Sequence, residues 1–199
     1  MVKTTKIVGV DEVGRGCLAG PVFSAAVILN KNINTKDIND SKKISFKKRV
    51  ILSKYIKRNS IFAIGSASVK EINKINILNA SLLSMRRALV KLKSKPSMAY
   101  IDGPFVPKNV KIKCKPVIKG DEKIKCISAA SIVAKVTRDL FMIKLAKKYP
   151  KYGWNKNFGY GTAFHLRALK KWGITQHHRK KFSPIHNMLM TNKRETQFR

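Results

Sequence analysis

The chain has 199 residues, 44% of them hydrophobic, and carries 43 Lys and Arg against 10 Asp and Glu, a net charge of +33. That length suits one domain with at most a short appendage, and the apolar fraction is enough to bury a core, which excludes a globally disordered chain. The charge makes a polyanion the natural partner, yet composition alone does not separate an enzyme from a basic binding protein, and lysine over-use accounts for part of the excess.

In chain order, Lys6 to Val10 reads as a strand and Val22 to Leu29 as a second, with a Gly- and Pro-containing turn between them. A lysine-rich segment, Asn30 to Asn59, holds a helix in its later part, and Ile61 to Val69 reads as a third strand. From Ile72 the spacing turns helical: Ile72, Ile75, Leu78, Leu82, Met85, Leu89 and Leu92 form one apolar stripe, stopped by Pro96. Met98 to Ile101 is a short strand ending at Asp102-Gly103-Pro104, and Val110 to Ile118 a further one. A second helix is predicted from Ile124 to Lys147, punctuated by Pro150 and Gly153, with Asp121 opening it. After Tyr152 the composition shifts to aromatic, Gly and basic residues. The pattern predicts a mixed α/β domain on one central sheet over residues 1–150, with a helical C-terminal extension over 151–199 lying on it. The last ~10 residues match no motif and are expected to be disordered.

Several classes drop out. Cys17, Cys114 and Cys126 are odd in number and lack CxxC spacing, against both a disulfide framework and a zinc site. No apolar stretch approaches the ~20 residues of a membrane span. Ile7 to Val10 is too short for a signal-peptide core, so a cytoplasmic location is expected. Gly14 to Ala19 matches a loose dinucleotide fingerprint, but Pro21 and a β-type run follow where that fingerprint needs a helix.

With so few acidic residues, each one is informative. Asp11 and Glu12 end a strand, Asp102 ends another, Asp121 opens a helix, and Asp139 lies inside it. Element ends are where side chains from distant segments converge. Like charges a few ångströms apart cannot all ionise unless a cation lies between them, and a hard divalent ion, Mg²⁺ or Mn²⁺, suits oxygen ligands. Singly, each has an ordinary reading: Asp121 as a helix cap, Asp139 as a surface residue paired with Arg138 or Lys135.

The motifs that hold these carboxylates resemble those of one family. Val8 to Val22 (VGVDEVGRGCLAGPV) resembles the opening motif of ribonuclease HII. Asp40-Ser41-Lys42-Lys43, Tyr100-Ile101-Asp102-Gly103, Lys119-Gly120-Asp121 and Ile127 to Asp139 (ISAASIVAKVTRD) follow in the family's order. Tyr160-Gly161-Thr162 with His165, then Phe182-Ser183-Pro184-Ile185, complete a likeness running from about residue 6 to 186.

The resemblance implies a ribonuclease H-like α/β fold: a mixed five-stranded central sheet flanked by helices, with a small helical C-terminal extension. It implies Asp11, Glu12, Asp102 and Asp121 as catalytic metal ligands for Mg²⁺ or Mn²⁺, with Asp139 ranked behind them. It implies two-metal hydrolysis of the RNA strand of RNA–DNA hybrids, leaving 5′-phosphate and 3′-hydroxyl ends, and cleavage 5′ to single ribonucleotides in duplex DNA, as in ribonucleotide excision repair. Gly14, Arg15 and Gly16 would meet the ribose 2′-hydroxyl, Tyr160 would stack on the next sugar, and Lys42 and Lys43 would hold phosphates. The role of His165 stays open, and His177, His178 and His186 read as surface or packing residues. A monomer without membrane contact is expected, and a sliding-clamp-type partner is left open. The similar ribonuclease HIII type carries an extra N-terminal domain and lacks the GRG triplet; a first strand near residue 6 leaves no room for one. A non-catalytic RNA- or ribosome-binding protein would suit the charge but has no use for the ordered motifs.

Overall fold

A computed structural model describes residues 6–38 and 44–197, with the backbone alone for 37 and for 191–197. Strands β1 (Ile7–Val13), β2 (Val22–Leu29) and β3 (Ser60–Ala67) form an antiparallel meander. Strands β4 (Met98–Asp102) and β5 (Lys113–Val117) add in parallel on the other side of β1, giving the order β3-β2-β1-β4-β5. β1 is therefore central, and its alternation sorts the two faces. Val8 and Val10 pack with Met85, Ala88 and Leu89 of helix α2 (Val69–Val90). The opposite face is covered by helix α4 (Lys125–Lys148), which packs Ala129, Ile132 and Val133 on Ala25 and Val27, and helix α1 (Phe46–Arg58) closes that side with Ile56. α4 lies very close: a Cβ on Gly9 would stand 2.2 Å from the carbonyl carbon of Cys126.

The elements follow their local chemistry. Ser45 caps α1 through the Lys48 amide, and Ser68 with Glu71 forms a reciprocal capping box on α2. Two differences from the sequence reading matter. The apolar stripe predicted as one helix breaks at Asn76 (φ 65°), whose side chain accepts from the Asn79 amide and restarts the helix as a cap, so the buried face becomes Ala80, Ser81, Ser84, Met85, Ala88 and Leu89. Asp121, predicted to open the long helix, sits instead on a separate turn, α3 (Gly120–Lys123). The β-branched Ile124 takes extended dihedrals (φ −124°, ψ 114°) between them, and the Ser128 hydroxyl ties the two by donating to the carbonyls of Asp121 and Ile124. Cys17, Cys114 and Cys126 are free. Among the described residues no helix is long and apolar enough to cross a membrane.

The chain after α4 makes a 3₁₀ turn (Pro150–Tyr152), then α5 (Trp154–Asn157), α6 (Ala163–Trp172) and α7 (Ser183–Gln197). Helix α7 buries Ile185 and packs Met188 and Leu189 against Met142, Leu145, Trp154 and Leu169, and its backbone stays helical as far as Gln197. At the centre of this second core lies a polar chain. The Nδ1 of His165 is 2.9 Å from the Tyr160 carbonyl, its Nε2 receives the Trp154 indole N–H at 3.1 Å, and the same Nε2 lies 3.1 Å from Nε2 of His178. The Thr175 amide donates to Nδ1 of His178 at 2.8 Å. A carbonyl can only accept, so His165 carries its proton on Nδ1. An amide can only donate, so His178 carries its proton on Nε2 and gives it to His165. Both rings are neutral, in opposite tautomers. A further proton on either would set two donors face to face. Burial, and then the repulsion that a charged His165 beside it would add, holds His178 down to about 3.

This gives a stability prediction. An unfolded His takes up a proton below about 6.5, which the folded ring refuses until far lower pH, so its stabilisation is complete above pH ~6.5 and declines as pH falls toward 3. H178Q should melt below the wild type at neutral pH, and the gap in Tm should shrink as the solution is acidified. Equal acid slopes, followed by circular dichroism, would rule out His178 as a source.

Candidate active site

The carboxylates meet where β1 and β4 end. Register sets Val10 beside Ile101, so Asp11 and Asp102 stand next to each other one step on. Both lie on the face covered by α4, because Val10 and Ile101 face α2. Asp11 is 6% exposed; its Oδ1 accepts the Glu12 amide at 2.7 Å, and the Ser131 hydroxyl of α4 donates to it. Asp102 Oδ1 accepts the amides of Gly120 at 2.7 Å and Asp121 at 3.4 Å, which brings the α3 turn, and Asp121 with it, to the strand end. Alternation turns Glu12 the other way, where its Oε1 meets Arg15 at 3.3 Å.

The grouping is electrostatically unfavourable as it stands. Burial, and then the charges of Glu12 and Asp102, push the Asp11 carboxyl well above its usual range. Burial also raises Glu12, against the pull of Arg15. One buried oxygen, Glu12 Oε2, has no hydrogen-bond partner. A divalent cation relieves all three features: it offsets the repulsion, favours the ionised forms and gives the orphan oxygen a ligand. Among the described residues no three Asp, Glu, His or Cys side chains converge tightly enough to hold an ion alone. The all-oxygen, sparsely liganded set therefore fits a hard ion that keeps waters and takes substrate phosphate.

The GRG loop leaves directly from β1. Its glycines differ in purpose. A Cβ on Gly14, which has φ +96°, would meet Nε of Arg138 at 2.2 Å, so the protein's own packing excludes a side chain. A Cβ on Gly16 would meet nothing within 4 Å, leaving open space above the loop. Two fully buried arginines hold this loop from beneath. Arg138 donates to the carbonyls of Ala19, Pro21 and Phe158, and Arg179 to those of Gly14, Arg15 and Gly20. The Leu18 amide donates to the Gly159 carbonyl at 2.8 Å, which sets Tyr160, 39% exposed, alongside the loop.

Asp11, Glu12, Asp102 and Asp121 are thus gathered at one edge, with Gly14, Arg15, Gly16 and Tyr160 beside them; Lys42 and Lys43 lie outside the described residues. Asp139 is not the surface residue its sequence setting allows. It is 1% exposed and pairs with Lys135 at 2.8 Å, while Arg138 turns to backbone carbonyls. That Lys135 ammonium lies 4.9 Å from the Phe158 ring centre and 5.8 Å from that of Tyr160. The sequence reading missed Arg179, Ser131 and Thr175. Arg179 had a signal only in being an arginine within a lysine-rich run.

The family profile of ribonuclease HII matches residues 8–186. The ribonuclease HII of Pelagibacter ubique is 60% identical over 183 residues, covering 92% of this chain and 98% of that protein. The solved ribonuclease H2 from Pyrococcus horikoshii OT3 superposes with a TM-score of 0.76 at 28% identity, covering 92% of this chain and 96% of that one. Bst-RNase HIII in complex with Mn²⁺ reaches a TM-score of 0.77 at 19% identity, over 96% of this chain and 71% of that one, a likeness of fold. The mixed five-stranded sheet flanked by helices is the ribonuclease H fold. The chain belongs to the ribonuclease HII family, divalent-metal-dependent endonucleases that act on the RNA of RNA–DNA hybrids.

Proposed function

We propose that this enzyme cuts the RNA strand of hybrids and nicks duplex DNA 5′ to a single embedded ribonucleotide, leaving 5′-phosphate and 3′-hydroxyl ends. The observation that supports the reading is the Asp11–Asp102 pair at adjacent strand positions, with Glu12 next in the strand carrying a buried oxygen that lacks a partner, and the Asp121 turn held to Asp102 through its backbone. These four would hold the metal. When bound, a pair of Mg²⁺ or Mn²⁺ ions would supply an activated water and neutralise charge on the leaving 3′ oxygen.

The remaining chemistry belongs to the chain. Arg15 tethers Glu12 and pulls against the burial that favours its neutral form. Gly16 leaves space for a ribose to approach the backbone, so the 2′-hydroxyl is read and not used as nucleophile. Tyr160 offers a half-exposed ring for the following deoxy sugar, and the pair would favour an RNA-to-DNA junction. Lys42 and Lys43 would hold backbone phosphates, and the basic surface adds salt-dependent affinity.

A DNA duplex carrying one ribonucleotide, incubated with Mg²⁺ or Mn²⁺, should be nicked 5′ to that residue by the wild type and not by D11N. Tight binding without a nick in either metal would overturn the reading. D11N should also melt higher than the wild type in EDTA, because it removes a buried like charge. About 1 kcal/mol of relief corresponds to roughly 2–4 °C in a chain of this size. Added divalent metal should raise the wild-type Tm and leave that of D11N little changed.

A further inference from the structure

The GRG loop rests on two buried cations that, among the described residues, form no ion pair with a carboxylate. Arg138 and Arg179 are both 0% exposed, and among the described residues the ion pairs are Arg15–Glu12, Arg87–Glu71 and Lys135–Asp139. Burying an unpaired guanidinium is costly in general, and placing a second beside it adds repulsion. A neutral amide side chain could brace a turn without that cost. The positive charge therefore has a further use, and the direction of the peptide groups shows what it is.

Arg179 takes two consecutive carbonyls: Nη2 donates to Gly14 O at 2.6 Å and Nη1 to Arg15 O at 2.7 Å. Its Nε and Nη2 close the far end of the loop on Gly20 O at 3.0 and 2.9 Å. No peptide bond here is cis, and in a trans peptide the carbonyl and the next N–H point in opposite directions. With the carbonyls of 14 and 15 turned inward, the amides of Arg15 and Gly16 must point outward. Both residues are exposed, and the space over Gly16 is open. Successive outward amides form a concavity that receives anionic or hydroxyl oxygens. A cation hydrogen-bonded to the carbonyl end of a peptide also polarises its N–H end, strengthening it as a donor.

We propose that Arg179 is a positioning residue for substrate recognition, turning the amides of Arg15 and Gly16 outward and polarising them toward oxygens of the ribonucleotide at the cut site. The inference rests on the reading that the GRG loop meets the substrate. It assigns to a residue of the C-terminal extension the orientation of donors next to the carboxylates.

The test compares R179K and G16A with the wild type on the single-ribonucleotide duplex, at a temperature where circular dichroism shows each variant folded. Lysine keeps the charge but cannot reach three carbonyls at once. Losing charge-assisted orientation of two donors should raise KM by about tenfold or more, with kcat changed far less. A structural role alone would lower Tm and leave KM of the folded protein unchanged, and that result overturns the proposal. G16A separates the layers: wild-type KM in G16A means the loop does not meet the substrate, whereas a raised KM in G16A with normal KM in R179K refutes only the role of Arg179. A measurement on the wild type covers the case in which R179K does not fold. In ¹⁵N-labelled protein, the amide protons of Arg15 and Gly16 should shift downfield on adding hybrid in EDTA, and unmoved resonances would refute the proposal.

Discussion

The molecule depends on one helix lying against bare backbone. α4 packs on β1 at Gly9, where even a methyl group has no room against the backbone of Cys126 and Ile127, and it continues over the sheet with Ala129, Ala130, Ile132 and Val133. At that distance each turn of the helix meets something different. Its first residues tie the Asp121 turn, Ser131 reaches Asp11, Arg138 grips the loop after β1, and Met142 and Leu145 found the core of the extension. The carboxylate edge and the C-terminal helices are thus two stretches of a single packing surface. A small change in its height above the sheet would be felt at both.

The charges are distributed with a clear division. The cationic excess is mostly lysine at the surface, where water solvates it, while the buried cations are arginines, whose planar forks satisfy several carbonyls at once. The scarce carboxylates divide likewise. Glu71 lies at the surface, bridged by Arg87 and held down to about 2 chiefly by that hydrogen bond, and it serves the α2 cap. Asp11 is buried with the half-buried Glu12 beside it, and burial raises both, which is poor for stability while no cation offsets them.

Much of this could be read from the chain, and the failures have physical causes. The strand Val22–Leu29 was legible residue for residue, since a short, mostly apolar run bounded by turn residues has few other outcomes. β1, expected to stop at Val10, runs on through Asp11 and Glu12 to Val13, whereas Asp102 was legible as a strand end. The break at Asn76 was not, because a left-handed residue inside a sound helical stripe depends on one side-chain cap and leaves the periodicity almost intact. Nor was the break at Ile124, where a single extended residue detaches Asp121 from the long helix. The arginine clamp was invisible for a deeper reason: its partners are backbone carbonyls, which carry no sequence identity. The histidine pair had two visible members, but their tautomers are decided by a carbonyl and an amide.

The separation of Arg179 from the loop it holds, 164 residues along the chain from Arg15, has a consequence for synthesis. Sheet and carboxylates can come together once α4 has left the ribosome. The loop beside them then has Arg138 beneath it but lacks Arg179 until the C-terminal extension follows. A truncated or nascent chain therefore has the charged edge without its ordered neighbour, and only a nearly finished polypeptide has both.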